Sequence, residues 1–136
     1  MDWKTLFLSP RGRIRRRDFW TGFVLVMVAS AVLNLIPVIG PLLGLVTIWP
    51  QICIHAKRLH DMDRSALLML IPAGLTLVLS VIAMASGGMD ITADTSTRDV
   101  TNLAFASAVG LVGLSFLLWV GLSRGEPGAN RYGGGP

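Results

Sequence analysis

No charged residue occurs between Phe19 and Ile54, and that gap constrains the fold more than any motif does. A membrane-spanning helix needs about 20 apolar residues, so the run is too long for one span and has room for a hairpin of two. Its middle reads Pro37-Val38-Ile39-Gly40-Pro41. Proline lacks a backbone N–H and disfavours helix at the residue before it. The pentapeptide therefore predicts a tight turn between a first helix over 18–36 and a second over 42–58. Trp49-Pro50 predicts a kink in the second helix, with Lys57 and Arg58 snorkelling at its end. A shallow re-entrant hairpin is the alternative; either form returns the chain to the side it came from.

Two further apolar segments follow, over 65–86 and 102–122. The first contains Pro72, which a membrane helix tolerates when neighbouring groups satisfy the freed carbonyl. Gly87-Gly88 ends it, and 87–101, with Asp90, Asp94, Arg98 and Asp99, reads as an external loop. The expected fold is an all-α integral membrane protein, one membrane domain over 1–136 built as a four-helix transmembrane bundle. Composition agrees: 52% of the residues are hydrophobic and 15% are charged, against about 25% charged in soluble domains. Ala106, Gly110 and Gly113 set small residues near one face of the last helix. Such a face suits internal packing, a second copy of the chain or another membrane protein.

Charge predicts the orientation. Lys4, Arg11, Arg13, Arg15, Arg16 and Arg17 precede the first helix, Lys57, Arg58 and Arg64 lie between the second and third, and Arg124 and Arg131 follow the fourth. If four segments alternate, only Arg98 falls on the other side. The positive-inside rule then puts both termini, including the tail over 123–136, in the cytoplasm. Trp20 and Trp119 fall at the cytoplasmic ends, where an aromatic belt sits. Ahead of the arginines, Trp3, Leu6 and Phe7 share a helical face that suits the headgroup layer or packing on the bundle.

Several function classes fall away. A net charge of +4 raises nucleic acid as a partner, but the basic residues flank apolar runs and carry no nucleic-acid motif, so anionic lipid headgroups are the expected partner. Cys53 is the only cysteine, which excludes an intrachain disulfide, and its apolar neighbours mark it as a buried small side chain. His55 and His60 have no zinc spacing, and no cofactor or metal is expected. Arg16-Arg17-Asp18-Phe19 with Ala29-Ser30-Ala31 loosely resembles a targeting signal, yet the apolar run continues well past Ala31, so the remainder would still be a membrane protein.

The dense polar residues form three motifs. Gly12 to Trp20 carries Arg13, Arg17, Asp18 and Trp20; its arginines suit an anionic surface, and Asp18 suits the first turn of a helix. Lys57 to Ser65 carries Arg58, His60, Asp61, Arg64 and Ser65. There Lys57 and Arg58 match the negative end of a helix, Asp63 or Ser65 caps the next one, and His60 beside Asp61 is either a hydrogen-bonding residue or a base. The tail over 125–136 is rich in turn-forming residues, but Asn130, Arg131 and Tyr132 interrupt it with specific side chains. A flexible tail is one expectation; the other is a fold-back in which these three reach the loop around His60 or the arginines near Asp18.

Together the motifs resemble the bacterial inner-membrane family called domain of unknown function 805. The likeness rests on Gly12, Arg13, Arg16 or Arg17, Phe19 and Trp20; on Arg58, Leu59, His60, Asp61, Arg64 and Ser65; and on Asn130, Arg131, Tyr132, Gly133 and Pro136. It covers nearly the whole chain and departs in the central loop, where Asp63 stands at the family's glycine and Ala66-Leu67 at its Gly-Trp. The resemblance implies location and fold, and no activity.

The expected function is a non-enzymatic module whose cytoplasmic face binds an anionic headgroup or a partner protein. Arg13, Arg58 and Arg131 would supply forked donors, with Asp18 and Asp61 orienting them. A small transporter or channel component is the alternative, although Asn34, Gln51 and His55 are the only strongly polar residues within the segments. A membrane-bound enzyme with His60 as base is a third class, with no catalytic carboxylate pair, nucleophile elbow or metal set to support it.

Overall fold

A computed structural model describes residues 3–37, 39–85 and 95–135 of the chain. All regular elements among them are helical: α1 (Trp3–Leu8), α2 (Arg16–Asn34), α3 (Gly40–Val46), α4 (Ile48–Asp61), a 3-10 turn (Ala66–Met69), α5 (Leu70–Ala83) and α6 (Thr95–Leu122). They fall into two compact units. Met1–Ala66 with Val120–Pro136 form one, and Leu67–Trp119 the other.

In the first unit α1 and α2 pack on α4, and α2 also packs on α3. The inner face of α2 is Phe19, Gly22 and Val26, spaced three and four residues apart as one face of a helix requires. Gly22 sits where a Cβ would come within 3.2 Å of Ile54 and 3.3 Å of Leu6, so its lack of a side chain sets how closely three helices meet. Phe19, Cys53, Ile54, Leu59 and Val120 are fully buried. Beyond this core the hairpin becomes apolar on the outside: Val24, Met27, Val28 and Val32 of α2, Leu35 just past its end, and Leu42, Val46 and Trp49 of the second arm are half or more exposed.

The hairpin turns between the end of α2 at Asn34 and the start of α3 at Gly40, so Gly40 and Pro41 open the second arm and are not part of the turn. A Cβ on Gly40 would lie 2.6 Å from the Leu33 carbonyl oxygen, so only glycine fits the crossing. The second arm breaks earlier than expected. The interruption is at Thr47, between α3 and α4, and not at Trp49-Pro50. Pro50 has no N–H for the carbonyl four residues back, which is that of Val46, so the helix fails one turn before the proline. Thr47 reinforces the break: its N–H and hydroxyl both donate to the Gly44 carbonyl, at 3.0 and 2.6 Å.

In the second unit the 3-10 turn leads into α5, with Pro72 in the first turn of the α-helix, where its missing N–H has no partner to lose. The last helix starts at Thr95, seven residues ahead of the expected position, so 95–101 is helix and not external loop. Hydropathy marks only the part that suits lipid, whereas backbone hydrogen bonds continue through polar residues. The rest of the expected loop, with Gly87-Gly88, Asp90 and Asp94, lies outside the described residues.

Two helical stretches, Ala66–Ala83 and Asn102–Leu122, are long and apolar enough to cross a membrane. The hairpin arms do not supply such an uninterrupted stretch: α2 opens on Arg16-Arg17-Asp18, and the other arm is broken at Thr47. Ala106, Gly110 and Gly113 are exposed, and nothing lies within 4 Å of where a Cβ on either glycine would be.

Candidate functional site

The centre of the site is the C-terminal end of α4. Asp63 has a φ of +52°. Its N–H donates to the His60 carbonyl, and the Arg64 N–H donates to that of Leu59. This is the paired 5→2 and 6→1 closure of a Schellman motif. The position favours glycine, and aspartate is among the few other residues that adopt this conformation at modest cost. The departure from the family pattern at Asp63 thus keeps the turn that a glycine would make.

That turn aims the last side chains of α4 at the N-terminal loop and the tail. Asp61, with its side chain 6% exposed, accepts from two arginines. Arg13 approaches Oδ1, with Nε at 3.1 Å and Nη2 at 3.0 Å, and Arg58 pairs with Oδ2. Arg58 is fully buried and donates as well to the backbone carbonyls of Val120 and Ser123. Arg13 donates to those of Glu126, Gly128 and Gly133. Two cations thus share one carboxylate and five carbonyls of the C-terminal segment.

The tail is therefore folded, not loose. The Glu126 N–H donates to the Asp61 carbonyl at 2.8 Å, and the Asn130 side-chain amide donates to that of His60 at 2.8 Å. Asn130 and Gly133 exchange a pair of backbone bonds, each 3.0 Å, across a tight turn that holds Gly133 at a φ of +125°. The turn lays the Tyr132 ring flat on His60, with centroids 3.8 Å apart and planes 10° off parallel. Arg131 lies over the same tyrosine and pairs with Asp63 at 3.0 Å on the exposed side.

His60 faces the Gly12 carbonyl through Nδ1 at 3.3 Å, so Asp61 is not its orienting partner. Burial pushes the His60 pKa below its ordinary value; the Gly12 carbonyl opposes that shift and Arg131 adds to it. Among the described residues no group of three or more His, Cys, Asp or Glu side chains is placed to hold a metal ion.

Of the residues singled out from the sequence, Arg13, Arg58, His60, Asp61, Asn130, Arg131 and Tyr132 come together. Trp20 stands behind them, its ring 2.5 Å from where a Cβ on Gly121 would be. Arg17 and Arg64 are exposed and Ser65 is half-buried. Asp18 is in the first turn of α2 but is not its cap; that position is Arg15, whose side chain makes no capping bond. Asp18 instead lines a cleft of about 310 Å³ with Thr5, Arg11, Lys57 and Arg13 of the cluster.

Sequence reasoning missed Lys57 and Gly125. Lys57 is 4% exposed and donates to the Thr5 carbonyl of α1, where snorkelling was the expectation. Gly125 lies against the Asp61 carboxylate with no room for a Cβ. A glycine just past the last apolar helix reads equally well as a helix terminator, so this role left no separate signal.

A family model described as "Protein of unknown function (DUF805)" matches residues 7–134. "Inner membrane protein YhaI" of Escherichia coli, strains K12 and O157:H7, is 33% identical over 92 residues, covering 60% of this chain and 78% of the relative. No solved structure matches the chain.

Proposed function

We propose, from the premise that the chain belongs to the family "Protein of unknown function (DUF805)", that it is a non-enzymatic module of the bacterial inner membrane whose basic face holds anionic phospholipid headgroups on the cytoplasmic side. A relative named an inner membrane protein supports the location. The observation that carries the reading is the polarity of the α2 hairpin. Arg11, Arg15, Arg16 and Arg17 are exposed at one end, and Val24, Met27, Val28, Val32 and Leu35 are exposed beyond them. Apolar side chains turned outward next to a band of arginines are what a lipid acyl layer beside an anionic headgroup layer selects.

The apolar parts of the two arms, Phe19–Asn34 and Gly40–Ala56, rise about 24 and 26 Å, a few Å under a hydrocarbon core of about 30 Å, a mismatch that local thinning of the bilayer and flanking side chains absorb. With α5 and α6 as the other pair, eleven of the chain's 12 Lys and Arg residues stay in the cytoplasm with both termini. Arg13 and Arg58 have a different task from the one their sequence suggests. Their donors are engaged by Asp61 and by the C-terminal carbonyls, so they build the face, and the exposed arginines meet the lipid.

Native mass spectrometry of the protein extracted in mild detergent tests this. Each arginine near an anionic surface is worth about 1 kcal/mol, so replacing Arg15, Arg16 and Arg17 together with Gln lowers retained phosphatidylglycerol at least tenfold. Unchanged retention overturns the reading.

A further inference from the structure

The cleft at Asp18 and an apolar groove both border α1, at Thr5 and Leu6 and at Phe7; Arg13 of the buried cluster lines the cleft, and the groove contains none of that cluster's residues. The cleft, about 310 Å³, is lined by Thr5 and Leu6 of α1, with Arg11, Arg13, Asp18 and Lys57 as its charged residues. Lys57 is 4% exposed, and its ammonium, a donor of three protons, is fixed at the wall by the Thr5 carbonyl. Arg11 is exposed at the rim, in a loop held by its N–H on the Ser9 hydroxyl at 3.3 Å. The groove, about 440 Å³, begins at the next residue of α1, Phe7, and continues along Leu25, Ala29, Val46 and Pro50. The short helix therefore borders a cleft with three basic residues and a carboxylate, and a trough lined almost wholly by apolar side chains.

We infer that α1 and the α2 hairpin form a binding site for one phospholipid, with its phosphate at Lys57 and Arg11, its headgroup amine at Asp18 and an acyl chain in the groove. The assignment follows from charge and from adjacency. Arg13 is already engaged by Asp61, so the cleft's remaining cations are Lys57 at its wall and the exposed Arg11 at its rim. These two beside one carboxylate match a phosphate joined to an ammonium better than they match a doubly anionic group, because Asp18 repels further negative charge. The apolar trough starting at Phe7 is the feature that a free phosphate would not use. The inference rests on the membrane placement proposed above and adds a specific site to the general attraction of the exposed arginines.

The test is native mass spectrometry of the full chain from nanodiscs of equal phosphatidylethanolamine and phosphatidylglycerol. The wild-type protein retains one lipid, with phosphatidylethanolamine preferred. Arg11→Gln lowers that retention about fivefold, the effect of one basic residue at a headgroup. Ala29→Phe, which fills the groove from an exposed helix position, lowers it by a similar factor. Asp18→Asn shifts the preference toward phosphatidylglycerol. Excess inorganic phosphate leaves the retained lipid in place; its displacement by phosphate would assign the cleft to free phosphate and overturn the inference. Wild-type retention in both Arg11→Gln and Ala29→Phe would also overturn it. If those two variants are silent while the Arg15–Arg16–Arg17 variant still loses phosphatidylglycerol, the pocket falls and the broader reading stands. The opposite pattern removes the broader reading and leaves the pocket.

Discussion

Replacing Asp61 with asparagine keeps the volume of the side chain and removes its charge. In the native cluster one carboxylate, 6% exposed, balances two guanidinium groups whose side chains are each 1% exposed. Asparagine retains one acceptor oxygen, and its amide group presents donors to donors at the other arginine. Breaking a buried pair by removing one partner costs about 3–5 kcal/mol, because the remaining charge is left uncompensated. Here two cations lose their partner at once, so the lower bound is about 3 kcal/mol. The unit that holds the cluster contains 83 residues, 66 from Met1–Ala66 and 17 from Val120–Pro136. In domains of that size 1 kcal/mol moves Tm by about 4–8 °C, so Asp61→Asn lowers Tm by at least about 12 °C. The assay is thermal unfolding in detergent followed by tryptophan emission. Asp63→Asn is the internal control, since it removes only the exposed pair with Arg131, worth about 0–1 kcal/mol. A Tm loss for Asp61→Asn no larger than that of the control would refute the account of a shared buried carboxylate.

Three further outcomes follow from the same geometry. Asp63→Gly relieves the left-handed strain at φ +52° but gives up an exposed ion pair, so it stays within about 1 kcal/mol of wild type, whereas Asp63→Val loses about 1–2 kcal/mol in the same unfolding assay. Gly125→Ala drives a methyl group into the Asp61 carboxylate and destabilises by about 1–3 kcal/mol, with faster protease cleavage in the tail as a second readout. The depressed pKa of His60 means that the folded state resists protonation while the unfolded chain takes up a proton near about 6.5. Stability therefore falls as pH drops from 7 toward 5, and His60→Gln flattens that slope in Tm measured against pH.

The hairpin was legible because its signals are local. Proline geometry and a single close approach at Gly40 decide the turn, and both are written in adjacent residues. The break at Thr47 was displaced by one turn because a proline acts on the carbonyl four residues behind it, so the damage appears upstream of its cause. The start of α6 was missed because hydropathy reports the solvent a helix suits and says nothing about where its backbone bonds begin. In the site, the sequence placed Arg13, Arg58, Asp61 and Asn130 in one neighbourhood but not in their roles. An arginine that binds an anion and one that binds backbone carbonyls have the same letter. Only the path of the tail past Gly125 decides between them, and that path depends on contacts more than 60 residues apart in sequence.

The central claim is that the C-terminal segment is locked onto the end of α4 by Arg13, Arg58 and Asp61. Hydrogen exchange of the membrane-embedded protein, resolved over residues 123–135, tests it most directly. The amides of Glu126, Asn130, Tyr132 and Gly133 each have an acceptor, so they exchange slowly in the wild type and lose that protection in Asp61→Asn. Exchange of these amides at the rate of an unstructured peptide in the wild-type protein would contradict the claim.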